Sequence, residues 1–355
     1  MESLSLAQKS LITKARTLGS GAGKLKLDDA VCAYLVSVIV EDLGLKDRFS
    51  EFKTAAIPFY TDQDLEKLTI PGVRFLDVMT RLVNISRDAD TYFACLASLH
   101  TRRLKLQRIM RKQAFPSMDQ VGPRGLLQFG SLSPKGLATL LFWRKWIFDI
   151  DNRVAQETGY VFEPILAFAI GGMPVAQGKS PIRRESDKTK GRQVDCVLGT
   201  EFAYEMKLRV TIAASGQGRW AEELQFPIDC QKSGYKPILV VFDPTKNVKL
   251  DELEKAFRAA GGEAHIGPDA WSHLDAKAGP TMATFIEKYV RKPIADLIAA
   301  APEKLPDITF SDQGRALKIT VGEEVLVVPR DEVLQDFGDE DAIPEDAAEQ
   351  LPGID

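Results

Sequence analysis

Hydrophobic residues recur at helical spacing in the first third of the chain. Residues 28–43 and 91–112 carry apolar side chains three and four positions apart, which is the period of an amphipathic helix. The segment 115–134 is rich in Gly, Pro and Ser, a composition typical of loops. We therefore predict a mainly helical N-terminal domain over residues 1–125.

The pattern changes after this segment. A long helical pattern over 133–169 is followed by a polar loop at 181–191 and by two short alternating stretches, 193–198 and 202–210, around Gly199-Thr200. Alternation with a turn between predicts a β-hairpin. Later segments predict further elements, namely a helix at 218–232, a strand at 237–242, a helix at 250–260, a short strand at 264–266 and a helix at 282–300. This order indicates an α/β fold with a mixed sheet flanked by helices.

Three more segments complete the predicted organisation. Residues 126–301 form the α/β domain, 302–330 a small β addendum, and 331–355 an acidic tail with ten acids and no Lys or Arg. The rest of the chain holds 46 basic and 40 acidic residues and is therefore mildly basic.

Composition also bears on location. No apolar run is long enough to span a bilayer, and the first residues lack the basic and apolar parts of a secretory signal. The four cysteines form no CxxC pair. We therefore predict a cytoplasmic protein without a membrane partner.

The hairpin QVDCVLGTEFAYEMKLRV carries charge on one face. With the turn near Thr200, Asp195 lies opposite Glu205, and Lys207 shares the face of Glu205. The other face is apolar, so these charges sit on strands with a buried side, where an unpaired charge is costly. Spacing alone leaves two interpretations open: a structural salt bridge of Lys207 with either acid, and a carboxylate site for Mg²⁺.

The same residues resemble the PD-(D/E)xK nuclease superfamily, specifically the type II restriction endonucleases. Asp195 and Glu205-Met206-Lys207 lie on a hairpin followed by a helix, GRWAEELQF, and an apolar strand, PILVVFDPT. Glu163, on the preceding helix, matches a glutamate that many of these enzymes carry. Val194 stands where the motif has proline. The similarity, over 159–245, is greatest to the ApaLI-like restriction enzymes.

The resemblance implies a restriction-endonuclease-like catalytic domain at 126–301 and Mg²⁺-dependent hydrolysis of double-stranded DNA at a specific site. It implies that Asp195 and Glu205 bind the metal, that Lys207 assists the attacking water, and that Glu163 supports a second metal or the lysine. It also implies a homodimer, because two antiparallel strands need two sites. We expect the N-terminal domain at 1–125 to contribute DNA recognition, dimer contacts or both. Two alternatives remain: a non-cutting DNA-binding protein on a nuclease fold, and a non-specific repair or recombination nuclease.

Two basic clusters indicate a polyanionic partner. Their members are Arg102, Arg103, Lys105, Arg108, Arg111 and Lys112 in the first cluster, and Arg183, Arg184, Lys188, Lys190 and Arg192 in the second. Each cluster alone is equally well explained as a solvated surface. Together with the carboxylate site they favour DNA.

The histidines give no comparable signal. His100, His265 and His273 form no HExxH or HxH pattern, so the sequence does not predict a histidine metal centre. We interpret His265 as a packed residue at the end of a strand.

Overall fold

The protein has a mixed α/β fold, as the sequence predicts. The computed structural model describes residues 3–19, 24–52, 57–60, 64–208 and 217–331. Helices flank a five-stranded sheet. The predicted acidic tail lies, apart from Asp331, outside the described residues. Over the described ranges, no helix combines the length and apolar character needed to cross a membrane.

The N-terminal part is mainly helical. Its helices are α1 (Leu6–Ala15), α2 (Asp29–Asp42), α3 (Phe75–Ile85) and α4 (Ala89–Lys112), and two short strands, β1 (Thr17–Leu18) and β2 (Leu25–Lys26), pair antiparallel. Helix α2 begins where the Asp28 carboxylate accepts a hydrogen bond from the backbone N–H of Val31 at 2.9 Å, which satisfies a donor that the helix leaves unpaired. Helices α2 and α4 confirm the two predicted from periodicity.

The rest of the chain contains both helices and strands. They are α5 (Met118–Val121), α6 (Pro134–Ala169), β3 (Met173–Val175), β4 (Val194–Leu198), β5 (Phe202–Lys207), α7 (Gln217–Lys232), β6 (Lys236–Val241), α8 (Val248–Ala259), β7 (Glu263–Ile266), α9 (Pro268–Lys277), α10 (Pro280–Ile286), α11 (Lys292–Ala299), β8 (Ile308–Asp312), β9 (Ala316–Val321) and β10 (Glu324–Pro329). The sequence patterns missed β3 and α9. Strand β3 is only three residues long, too short to show an alternation.

The main sheet has the strand order β3-β4-β5-β6-β7. The first two pairings are antiparallel and the last two are parallel. In the register between β5 and β6, Glu205 is beside Leu239 and Lys207 is beside Val241. Leu239 and Val241 are fully buried in a core that α7 and α8 supply with apolar side chains such as Phe226. Glu205 and Lys207 therefore lie on the sheet face that these two helices cover.

The chain forms two compact units. The first contains Met1–Thr101 and Tyr160–Ile294 and includes the main sheet. The second contains Arg102–Gly159 and Ala295–Ala342, of which the structure describes the part up to Asp331. In the second unit β8, β9 and β10 form an antiparallel sheet packed around Trp146. The predicted limits at 125, 301 and 330 differ from this division, in which α4 and α6 contribute to both units; those limits stay a prediction.

Candidate active site

The hairpin of β4 and β5 sets the geometry of the site. Gly199 takes the left-handed conformation in the turn, with φ of 60°, which glycine adopts without strain. The strands pair from Leu198 and Phe202 to Cys196 and Tyr204. Continuing this register by one pair places Asp195 opposite Glu205, as predicted.

Asp195 is anchored to the neighbouring strand. Its Oδ2 accepts a hydrogen bond from the backbone N–H of Met206 at 2.8 Å. Met206 lies between Glu205 and Lys207, so this bond holds the carboxylate beside both charged residues. The side chain of Asp195 is therefore positioned without help from a ligand.

Lys207 lies among acids. Its Nζ donates to Glu205 Oε1 at 3.0 Å and lies 3.6 Å from Glu223 Oε2. Burial acts to lower the pKa of Lys207, but the carboxylates of Glu205, Glu223 and Asp195 outweigh it and hold that pKa above its ordinary value. Lys207 is thus a stable cation in the metal-free protein.

The acids repel one another. Burial, followed by the charges of Glu205 and Glu163, raises the pKa of Asp195 well above its ordinary value. Burial and the charge of Glu205 raise the pKa of Glu163 to about 7, while Lys207 opposes the shift. The site therefore concentrates more negative charge than one lysine neutralises, which favours either protonation or a bound cation.

These donors fit a hard divalent cation. Mg²⁺ takes oxygen ligands and is usually held by one or two carboxylates, with water completing its coordination. Asp195, Glu205 and Glu163 offer carboxylate oxygens only. Two of these three acids, with water, would meet the requirement of one such ion.

Sequence reasoning missed Glu223. It lies on α7 between Trp220 and Phe226, three residues from each, and both of these side chains pack into the core beneath the sheet. An acid on the apolar stripe of a helix is the signal that points to it. Glu223 is the second carboxylate, after Glu205, within 4 Å of the Lys207 ammonium.

Several residues of the first basic cluster have partners inside the chain. Arg102 is buried and donates to Glu157 at 2.5 Å, and Lys105 lies 2.7 Å from the same carboxylate. Arg111 pairs with Asp331 at 3.1 Å. The remaining members are half-buried or exposed, namely Arg103, Arg108 and Lys112. Glu157 thus holds Arg102 and Lys105 largely out of solvent, a position that does not favour contact with a phosphate.

The second cluster divides in the same way. Arg192 is buried, and its guanidinium donates to Asp229 at 2.6 Å and to Glu222 at 2.7 Å. Arg184 donates to Glu222 as well. Three members of this cluster have exposed side chains, namely Arg183, Lys188 and Lys190. The two arginines fasten the loop to α7, and the exposed cations form its outer surface.

A pH titration tests the crowding of acids. The pKa of Glu163 is raised from 4.5 to about 7, so its contribution to the stability of the metal-free protein is full below pH 4.5 and is lost as pH rises to 7. Glu163→Gln should flatten this part of the stability profile. Urea unfolding in EDTA across this range measures it, with Glu254→Gln on α8 as the control. An unchanged profile in Glu163→Gln would contradict the assigned pKa.

The order α6-β3-β4-β5-α7-β6, with two acids and a lysine on the central hairpin, is that of a PD-(D/E)xK nuclease. A family model for the ApaLI-like restriction endonucleases matches residues 63–291. The type II restriction enzyme ApaLI of Acetobacter pasteurianus is 42% identical over 371 aligned positions, which cover 96% of this chain and 98% of that protein. The chain belongs to the ApaLI-like restriction endonucleases. No solved structure matched it.

This membership confirms the class predicted from the sequence, a type II restriction enzyme that acts as a DNA endonuclease. It also suggests a divalent metal as cofactor, which agrees with the donor set of the site. The assignment of individual residues rests on the geometry described above.

Proposed function

We propose that this protein cuts double-stranded DNA at a specific sequence in a Mg²⁺-dependent reaction, at a site formed by Asp195, Glu205, Lys207 and Glu163. The observation that carries this proposal is the excess of acids around Lys207. A structural salt bridge needs one carboxylate near the lysine. Four carboxylates act on Lys207 here, those of Asp195, Glu163, Glu205 and Glu223. Burial and mutual repulsion raise the pKa of Asp195 and Glu163, and a divalent cation would relieve that repulsion.

Each side chain has a distinct task. Asp195 and Glu205 would hold Mg²⁺, and Glu163 would reach the same ion or a second one. Mg²⁺ would supply a Lewis acid that offsets charge on the phosphoryl group and makes water more acidic. Lys207, kept protonated by its neighbours, would donate to a phosphoryl oxygen as charge accumulates there.

Incubation of supercoiled plasmid with the purified protein tests the function directly. With Mg²⁺ we expect discrete fragments, and with EDTA no cleavage. A smear of products would instead support a non-specific nuclease. Binding of duplex DNA without cleavage at any Mg²⁺ concentration would support the non-cutting alternative.

The exposed part of the second basic cluster is the surface that we propose for contact with DNA. Glu222 on α7 holds Arg184 and Arg192 of this loop, and the adjacent Glu223 lies beside Lys207. The loop is therefore fastened next to the catalytic face. Cations in this position suit the phosphates on either side of a cleavage site.

Neutralising two of these cations should weaken DNA binding and its dependence on salt. For Arg183→Gln with Lys188→Gln, the slope of log affinity against log salt should fall by about 0.9 for each phosphate that the protein no longer neutralises. Titrations of a labelled duplex in Ca²⁺ measure the slope. The matched control is Lys255→Gln with Lys277→Gln, which removes two exposed lysines outside the loop. Lys277 lies over the ring of Phe202, at the opposite end of β5 from Lys207. Equal slopes for the two double variants would contradict the proposal that this loop contacts DNA.

We propose that the active form is a homodimer, since cutting both strands at equivalent positions requires two sites related by a two-fold axis. The second unit offers apolar surface for such an interface. Leu126, Leu127 and Phe129 are 79%, 97% and 78% exposed, and Phe148, 59% exposed, lines a groove together with Val121. Large apolar side chains exposed in one region are typical of an interaction surface.

Light scattering tests this assembly. The free protein or its complex with a duplex in Ca²⁺ should have the mass of two chains. Leu127→Glu with Phe129→Glu should yield monomers, because it places charges in the proposed interface. Leu6→Glu, at a leucine 86% exposed in the first unit, should leave the mass unchanged. One subunit per duplex in the wild-type complex would contradict the proposal.

A further inference from the structure

Glu263, His265 and His273 lie together at one edge of the main sheet. Strand β7, the last strand in the sheet order, supplies Glu263 and His265, and α9 supplies His273. Residues two apart on a strand share a face. One potential ligand atom from each of the three lies within 4.8 Å of the other two, and no second group of this kind occurs over the described ranges.

His265 already has the surroundings of a metal ligand. Its Nε2 lies 3.1 Å from Glu263 Oε2, and its Nδ1 lies 2.8 Å from Asp269 Oδ2. Histidines that bind metals usually donate their other ring N–H to a carboxylate, which fixes the tautomer. Two donors 3.1 Å apart also suit one ion with bond lengths of about 2.0–2.1 Å. Glu263 and His265 are therefore nearly in place for an ion.

His273 completes the group from α9. Its side chain is half-buried, and an unprotonated imidazole offers a metal one nitrogen lone pair. Its ring stacks on that of His265 with 4.0 Å between the centroids, and its Nε2 lies 3.2 Å from the Tyr204 hydroxyl. When Nε2–H donates to the Tyr204 oxygen, the lone pair is on Nδ1.

We propose that Glu263, His265 and His273 form a second metal site, which takes Zn²⁺ or a similar late first-row divalent ion. Two imidazoles and one carboxylate are the donors that Zn²⁺ prefers and Mg²⁺ does not. Asp269 and Tyr204 orient the two imidazoles. The ion would join α9 to β7 and, through Tyr204, to the strand that carries Glu205 and Lys207. This site does not depend on the function proposed above.

Two lysines limit the attraction of the site for a cation. Lys236 donates a hydrogen bond to Oε1 of Glu263, which leaves Oε2 for an ion. Lys277 adds a positive charge near His273. We accordingly expect binding that a chelator reverses.

Zn²⁺ binding to the full-length protein tests the proposal. After removal of metals with EDTA, Zn²⁺ is titrated against a chromophoric chelator and the thermal melt is followed in parallel. We expect one Zn²⁺ per chain at this site and a melting temperature that rises with Zn²⁺ concentration. His265→Asn and His273→Phe should weaken binding by more than about a hundredfold, and Asp269→Asn by about tenfold. Glu254→Gln, the loss of another acid that is paired on a helix surface, should have no effect.

Further variants separate this site from other places where Zn²⁺ could bind. Asp195→Asn removes a ligand of the catalytic site and should leave Zn²⁺ binding intact. All four cysteines are buried, so thiols do not compete. Asp269 is 64% exposed, so its substitution should leave the packing undisturbed. Asp269→Asn therefore tests the site even where a histidine variant fails to fold. Absence of saturable binding in the wild type, or binding that Asp269→Asn leaves unchanged and Asp195→Asn abolishes, would overturn the proposal.

Discussion

Cleavage of DNA is expected to fall by at least about 10²-fold in each of Asp195→Asn, Glu205→Gln and Lys207→Ala, the loss typical of removing a preorganised charge from an active site. Asn and Gln keep the shape of the acids, so the hydrogen bond from the Met206 N–H to residue 195 is retained. The two acid variants should fold, because relief of repulsion among crowded carboxylates is not destabilising. Lys207→Ala instead removes the cation that these acids surround, so its free energy of unfolding should be lower than that of the acid variants. Single-turnover cleavage of a cognate duplex and urea unfolding measure the two effects.

The neighbouring acid Glu223 provides a graded comparison. It touches Lys207 at 3.6 Å, so Glu223→Gln removes one of the charges that keep the pKa of Lys207 high. The expected loss is smaller, about tenfold, with a pH profile of cleavage shifted toward lower pH on its alkaline side. Cleavage within about tenfold of wild type for any of the first three variants would rule out the assigned site.

The largest effect on stability is expected for Arg192→Ala. Asp229 is fully buried and accepts hydrogen bonds from Arg192 Nε and from the backbone N–H of Glu185. Removing the guanidinium leaves a buried carboxylate without its counter-charge, which lowers the free energy of unfolding by about 3–5 kcal/mol. Urea unfolding of the metal-free protein measures the change.

Arg183→Ala is the matched control, because Arg183 is an exposed arginine of the same loop. The free energy of unfolding of this variant should stay within about 0.5 kcal/mol of the wild-type value, whereas its affinity for DNA should fall. Arg192→Ala with wild-type stability and a reduced salt slope would show instead that Arg192 contacts phosphate, as its place in the basic cluster predicts.

Local patterns were sufficient for the hairpin. Its alternation of apolar and charged residues fixes which side chains share a face, because a shift of one residue would move every charge to the apolar opposite face. The register that places Asp195 opposite Glu205 was therefore predictable. The approach of Glu163 was not, since no local rule brings a residue of α6 to β5. Only the resemblance to a known family supplied it.

Charge counting along the chain failed to separate structural from exposed cations. Arg102 pairs with Glu157, 55 residues further on, and Arg192 pairs with Asp229, 37 residues further on. A run of basic residues shows no sign of such distant partners. The proximity of His265 to His273 was not predictable for a related reason: His273 comes from a helix that the sequence pattern did not predict.

Helix α7 cannot vary in length between its acids. Glu222 and Asp229 are two turns apart on one side, where both bind Arg192, and Glu223 points to Lys207 from a position about 100° around the axis. Inserting or deleting one residue between 223 and 229 would turn Asp229 away from Arg192 by about that angle. Natural relatives should therefore align through this stretch without gaps, while the tip of the basic loop is free to change length from one enzyme to the next.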